Sequence, residues 1–149
     1  MIRLLQENDN KPLATIIRTS LKAYGLDRPG TVYTDPTTDD LFHLFQTKGS
    51  IYYVATQDEK ILGGCGIFPT KGLPEHHAEL VKLYLSEEAR GKGLGALLME
   101  KSLSWAKENG YTHIYLETFS ELSSAVGLYN KLGFKELTHP MGDSGHHAC

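Results

Sequence analysis

The chain has 149 residues, with 15 Lys and Arg against 18 Asp and Glu and a formal net charge of −3. That is the size of one domain, spanning residues 1–149, and it lacks the basic excess that draws proteins to nucleic acid or anionic membranes. No apolar run approaches the ~20 residues of a membrane-spanning helix, the opening MIRLLQENDNK is no signal peptide, and Cys65 and Cys149 make no disulfide framework; a cytoplasmic, reducing location is the expectation.

The elements read as mixed α/β. MIRLL predicts a short first strand. Asn10 to about Tyr24 predicts a helix, with Leu13, Ile16, Ile17 and Leu21 at helical spacing and Pro12 in the first turn. GLDRPGTVYTDPTT is a long Gly-, Pro- and Asp-rich loop. Thr38 or Asp39 is placed to cap a short helix carrying Leu41, Leu44 and Phe45. SIYYVAT and KILGGCGIF read as two strands joined by the turn QDE, and Gly63, Gly64 and Gly66 point to a bulge or a close approach to the backbone. HAELVKLYL is the fourth strand; by alternation Glu79, Val81, Leu83 and Leu85 share one face, and Leu80, Lys82 and Tyr84 the other. Leu94, Leu97, Leu98 and Trp105 give the next helix its buried stripe, with Gly110 as its stop. YTHIYLET is a fifth strand. Ser120 or Ser123 caps a last helix with Ala125, Leu128 and Leu132 on one face, FKEL is a sixth strand, and GHHAC starts a seventh.

The stretch RGKGLGA, Arg90 to Ala96, lies between the fourth strand and the helix that follows it. Successive amides in a tight glycine turn at a helix N-terminus make a phosphate cradle. Gly91-x-Gly93-x-x-Ala96 fits the dinucleotide fingerprint, but its context does not. That fingerprint follows straight off an early strand of a repeating βαβ sheet. Here Ser86 to Arg90 intervene and four strands precede the turn. On glycine spacing alone, a plain left-handed turn before an amphipathic helix accounts for the stretch equally well.

Two segments in order narrow the choice. Arg90-Gly91-Lys92-Gly93-Leu94-Gly95 matches the pattern R/Q-x-x-G-x-G/A, and Leu128-Tyr129-Asn130-Lys131-Leu132-Gly133-Phe134 matches LYxKxGF. With these motifs the chain from about Glu79 to Leu137 resembles the GNAT superfamily of acyl-CoA N-acyltransferases. The resemblance implies a central, mostly antiparallel mixed sheet of six to seven strands flanked by about four helices and splayed between strands 4 and 5. It implies acetyl-CoA as co-substrate, no metal, and an amine acceptor. A small-molecule amine is the expected partner, with a protein N-terminus or lysine as the alternative, and the enzyme is expected as a monomer or homodimer.

The resemblance also assigns residues. Arg90, Gly91, Lys92, Gly93, Leu94, Gly95 and Ala96 hold the pyrophosphate, the three glycines by leaving the backbone free to turn and approach. Leu83, Tyr84 and Leu85 pair with the pantetheine arm as though it were an added strand. Tyr129 is the acid that protonates the departing thiolate, a phenol of pKa ~10 donating toward a thiol of pKa ~8.5. Spacing by itself favours an amphipathic tyrosine packing a helix against the sheet; the motif match reverses that preference.

The attacking amine must lose a proton. Glu79, which interrupts an apolar strand, is the first candidate base and Glu117 the second; a salt-bridged strand-end carboxylate accounts for each equally well. The oxyanion is expected on a backbone N–H of Leu83 or Leu85. Two departures stand out. Leu122 occupies the place of a pantetheine-binding asparagine, which puts Ser123 or Ser124 forward as its replacement, and the chain ends at Cys149, leaving the seventh strand short. They leave room for a silent acyl-CoA-binding sensor. The adjacent pairs His76-His77 and His146-His147 do not make a zinc set, and Tyr24 to Tyr33 is expected to line the acceptor pocket.

Overall fold

The computed structural model describes residues 1–117, 123–135 and 137, with the side chains of 123–126 left aside. Its elements are β1 (Ile2–Leu4), α1 (Asn10–Ala23), α2 (Leu41–Leu44), β2 (Ile51–Gln57), β3 (Lys60–Phe68), β4 (His77–Leu85), α3 (Leu94–Glu108), β5 (His113–Tyr115) and α4 (Ser123–Lys131). The five strands lie in sequence order. The first three pairings are antiparallel, and β4 with β5 is parallel. This is the mixed sheet expected, with one fewer strand than the lower expectation among the described residues. Phe134 and Lys135 of FKEL are not in a strand, while Glu136 and GHHAC lie outside the described residues.

The β2–β3 hairpin closes on Asp58 and Glu59, both left-handed, between the paired residues Gln57 and Lys60. Two positive-φ residues give the turn a twist that matches the strands. β2 is buried on both faces. Tyr52 and Val54 join Leu13, Ile17 and Leu21 of α1 and Leu41 of α2 in one core. Tyr53 and Ala55 join Cys65, Ile67, Ala78 and Leu80 of the sheet and Leu98, Met99 and Ala106 of α3 in the other. The sheet is thus a middle layer, with α1 and α2 on one face and α3 and α4 on the opposite face.

Local details depart from the sequence reading. The short helix α2 is capped by Asp40, whose carboxylate accepts from the His43 amide, while Pro36–Asp39 form a 3-10 turn capped by Asp35. Three polar residues in a row left the cap ambiguous. Leu97, expected in the buried stripe of α3, is 50% exposed, and Leu98, Met99, Ser102 and Ala106 carry that face instead. β5 pairs over only three residues, although YTHIYLET reads as a longer strand.

Candidate active site

β4 borders two neighbours unequally. It pairs with β3 from Glu79 to Leu85, but with β5 only over His77 to Glu79. Beyond that point β5 ends, and no strand among the described residues covers Leu80 to Leu85 on that side. The result is the wedge expected between strands 4 and 5.

The register of β4 jumps inside the wedge. Gly64 sits opposite Tyr84 and Gly66 opposite Val81, so Lys82 and Leu83 face the single residue Cys65. This is a β-bulge. Lys82 adopts φ +52°, a left-handed conformation costing a non-glycine residue roughly 1–2 kcal/mol. The bulge corrects the expected alternation. Val81 and Tyr84 lie against the α1 core, whereas Leu80, Leu83 and Leu85 lie against the α3 core. The Ser86 amide donates to Leu62 O of β3 at 2.8 Å. By alternation along the strand, the amides of Leu83 and Leu85 point away from β3 toward the wedge.

The glycine turn follows. A 3-10 turn, Glu87–Ala89, leads to Arg90, and Gly91 and Gly93 are left-handed at φ +79° and +74°. A Cβ at either would meet nothing within 4 Å, so these glycines serve backbone conformation on an open surface. Gly93 caps α3 without a side-chain cap, which leaves the first amides of Leu94, Gly95 and Ala96 without intrahelical acceptors. Gly95 does something else. It is a buried helical residue, and a Cβ there would lie 3.4 Å from Leu128 and 3.5 Å from Leu85; it brings α3 close to α4 and the end of β4. The Arg90 guanidinium lies 5.7 Å from the Tyr24 ring centroid, and Lys92 Nζ donates to Gln57 Oε1 at 3.1 Å. Ser86 Oγ, where β4 runs into the turn, is buried without a hydrogen-bond partner among the described residues.

Three ionisable side chains matter around the wedge. Tyr129 of α4 packs on the α3 side, edge-on to Phe134 at 6.1 Å. Burial, with a smaller contribution from Cys65, pushes its phenol above the ordinary value. Glu79, at 5% exposure, pairs with Tyr115 of β5 and lies on the opposite face from its neighbours Ala78 and Leu80. Thr70 Oγ1 donates to Glu79 Oε1 at 2.5 Å. Burial raises the Glu79 carboxyl and outweighs the Thr70 hydrogen bond; the nearby Glu117 charge adds to the rise, and Lys82 opposes it. Glu117 accepts from the Tyr115 hydroxyl at 2.7 Å. The structure therefore brings both candidate bases into one electrostatic neighbourhood, each holding a hydroxyl donor that sequence reasoning did not identify.

Cys65 is fully buried, and burial pushes its thiol up to about 12 against the lowering effect of Ser102 and the Gly66 backbone. A thiol so placed is a core residue, not a nucleophile. Leu26 and Val32 of the Tyr24–Tyr33 loop are buried in the α1 core, and Arg28 Nε donates to Gly25 O at 3.3 Å. His76 is a left-handed loop residue, and His77 stacks on His113 at 4.3 Å. Among the described residues no three His, Cys, Asp or Glu side chains are gathered to hold a metal. Leu122 and His146-His147 lie outside the described residues, as does the side chain of Ser124, whose backbone is in α4.

Comparisons with known proteins agree with this geometry. The chain is 35% identical over 150 residues to the uncharacterized N-acetyltransferase YjgM of Escherichia coli, covering all of this chain and 90% of that one. It superposes with a TM-score of 0.82 and 20% identity on a GNAT-family acetyltransferase from Staphylococcus aureus, covering 93% and 86% of the two chains. A predicted acetyltransferase from Clostridium acetobutylicum, solved with acetyl-CoA, superposes at 0.72 with 18% identity over 99% and 98%. Residues 17–134 match the acetyltransferase (GNAT) family model, and the chain belongs to that family of acetyl-CoA-dependent acyltransferases.

Proposed function

We propose that this protein transfers the acetyl group of acetyl-CoA to the primary amine of a small molecule, by direct attack while both substrates are bound. The observation that carries this reading is the wedge beside β4, with Tyr129 on its α3 face and Glu79 and Glu117 on its α1 face.

The residues fit an acyl-CoA. Left-handed Gly91 and Gly93 and the amides at the start of α3, which lack intrahelical acceptors, present N–H donors where a pyrophosphate needs them, in an opening that a Cβ would not fill. Arg90 and Lys92 add positive charge beside it. The edge of β4 that no strand among the described residues covers offers Leu83, Tyr84 and Leu85 to an amide-bearing arm as an added strand would use them, and the buried Ser86 hydroxyl lies at the junction of arm and pyrophosphate. The Ser124 side chain is put forward as a further contact.

The proton accounting follows from the two faces. Glu79, or Glu117 beside it, takes the proton that the amine must lose, directly or through water; a raised carboxyl pKa moves it toward neutrality, where a base works best. The Leu83 and Leu85 amides aim at the carbonyl oxygen on which negative charge develops. Tyr129 gives its phenolic proton to the departing sulfur, and its raised pKa keeps that proton in place until then. Cys65 takes no part, which favours direct attack over an acyl-enzyme.

The test is purified protein with acetyl-CoA and a panel of small amines, amino acids and N-terminal and lysine peptides, read by release of free thiol. Turnover with a small amine above any peptide supports the reading. Turnover confined to peptides assigns a protein acceptor. Tight acetyl-CoA binding with no thiol release for any acceptor assigns a sensor.

A further inference from the structure

The register jump in β4 falls at Lys82 and Leu83, and a residue two strands away bonds the Lys82 carbonyl. Tyr52 belongs to β2, opposite Gly66 of β3. Its hydroxyl donates to Lys82 O of β4 at 2.8 Å. To reach it, the ring lies flat across β3. A Cβ on Gly66 would sit 2.7 Å from Tyr52 Cδ2, and one on Gly64 would sit 2.3 Å from Cε1 and 2.7 Å from the hydroxyl oxygen. Gly64 and Gly66 therefore form a slot fitted to this one ring, although glycine weakens a strand interior. Phe45 closes the slot from above, its ring 5.0 Å from that of Tyr52, and Phe68 meets Phe45 edge-on at 5.7 Å. Tyr52 is 1% exposed, and burial raises its phenol well above the ordinary value, so it is a permanent donor.

We propose that Tyr52 is a positioning residue for acetyl transfer: its hydroxyl, threaded over Gly66 and Gly64 to the Lys82 carbonyl, fixes the β4 bulge and thereby aims the Leu83 and Leu85 amides into the wedge. The proposal rests on the acetyl-transfer reading above for its catalytic consequence, but not for its geometry. Without the hydroxyl, the carbonyl of a strained left-handed residue loses this donor, and β4 is less restrained from relaxing toward regular pairing. Regular pairing would exchange the faces of the residues beyond Lys82, because a one-residue slip turns every following side chain over.

The experiment is Tyr52→Phe, which keeps the ring in its slot and removes only the oxygen. Three quantities are read: kcat with the best amine, the dissociation constant of CoA, and the backbone amide resonances of Lys82 to Leu85. The expected result is a fall in kcat of about tenfold or more, with CoA affinity within about threefold and amide shifts concentrated in those four residues. Unchanged kcat with unchanged amide shifts overturns the proposal. So does a fall in kcat matched by an equal loss of CoA affinity and a broad spread of shifts, which would make Tyr52 a packing residue. If the wild-type protein acetylates nothing, the acetyl-transfer reading fails, and the amide shifts alone then decide whether Tyr52 holds the bulge.

Discussion

The two faces of the sheet are both sealed by leucines, yet they are organised by different means. On one face the 15-residue helix α3 lays Leu98, Met99, Ser102 and Ala106 along β2, β3 and β4, with α4 packed beside it. On the other, α1 shares the cover with short turns held by polar contacts. Asn10 Nδ2 donates to Asp40 Oδ1 at 2.9 Å while its own Oδ1 accepts from the Phe42 amide at 2.8 Å. Thr38 Oγ1 donates to Val32 O at 2.8 Å, and Arg18 reaches both Tyr33 O and Asp39. The α3 face is a continuous apolar seam, which tolerates little change. The α1 face is an assembly of point contacts, in which a loop can be altered while its neighbours stay anchored. That division suits a protein whose donor is shared by its family and whose acceptor is its own.

Substitutions on the two faces test this contrast. The largest stability effect is expected for Leu98→Ala, where a fully buried α3 side chain leaves a cavity costing about 2–5 kcal/mol; urea unfolding measures it. Next, Tyr129→Phe is expected to lower kcat about 100-fold while acetyl-CoA binding, by calorimetry, stays nearly constant. Equal turnover in the two proteins would remove Tyr129 from the role of acid.

Glu79→Gln probes the opposite face through pH. Burial raises the folded carboxyl above its unfolded value, so the folded state favours the protonated form. The associated stability is complete below the unfolded value and is lost as pH rises through the folded one. The glutamine variant stays neutral, so its thermal stability should lack that decline and at neutral pH should match or exceed the parent. Its activity should fall about tenfold or more and lose the rise of kcat/KM with pH that deprotonation of Glu79 produces. A variant keeping the parental pH–rate profile would pass the role of base to Glu117. The smallest effect is expected for Asp40→Ala, which removes the α2 cap for about 1 kcal/mol. A loss as large as that of Leu98→Ala would mean that the α1 face is one cooperative seam after all.

Much of the α3 face was legible in the residues. The helix after the glycine turn announces itself by type and spacing, while the turn glycines and the Tyr129 segment stand out through their resemblance to the family motifs. The strand order is legible too, because YYVA and GGCGI leave few alternatives to buried strands. The bulge was not. HAELVKLYL has the same apolar density whether or not Lys82 turns left-handed, and nothing about lysine signals a positive φ. The early end of β5 was hidden for a related reason, since strand-forming side chains do not reveal where a partner diverges. Glu79 stood out as a charge within an apolar strand, but its Thr70 partner came from a loop that the sequence left unassigned. Gly64 and Gly66 did mark a close approach; that the approaching group is Tyr52, from the strand next door, is a property of register rather than of composition.

Cys65 carries a last consequence. In the proposed reaction the donor is a thioester, and an accessible cysteine thiolate within the same fold would attack its carbonyl, taking the acetyl group and expelling CoA in place of the amine's reaction. Cys65 is enclosed at 0% exposure between β2, β4 and α3, with its proton held up to about 12. The protein thus keeps a soft, space-filling atom at the centre of its sheet while denying it to the chemistry at the edge. Its reactivity is tied to loss of the surrounding core: what alkylates Cys65 has first opened the sheet.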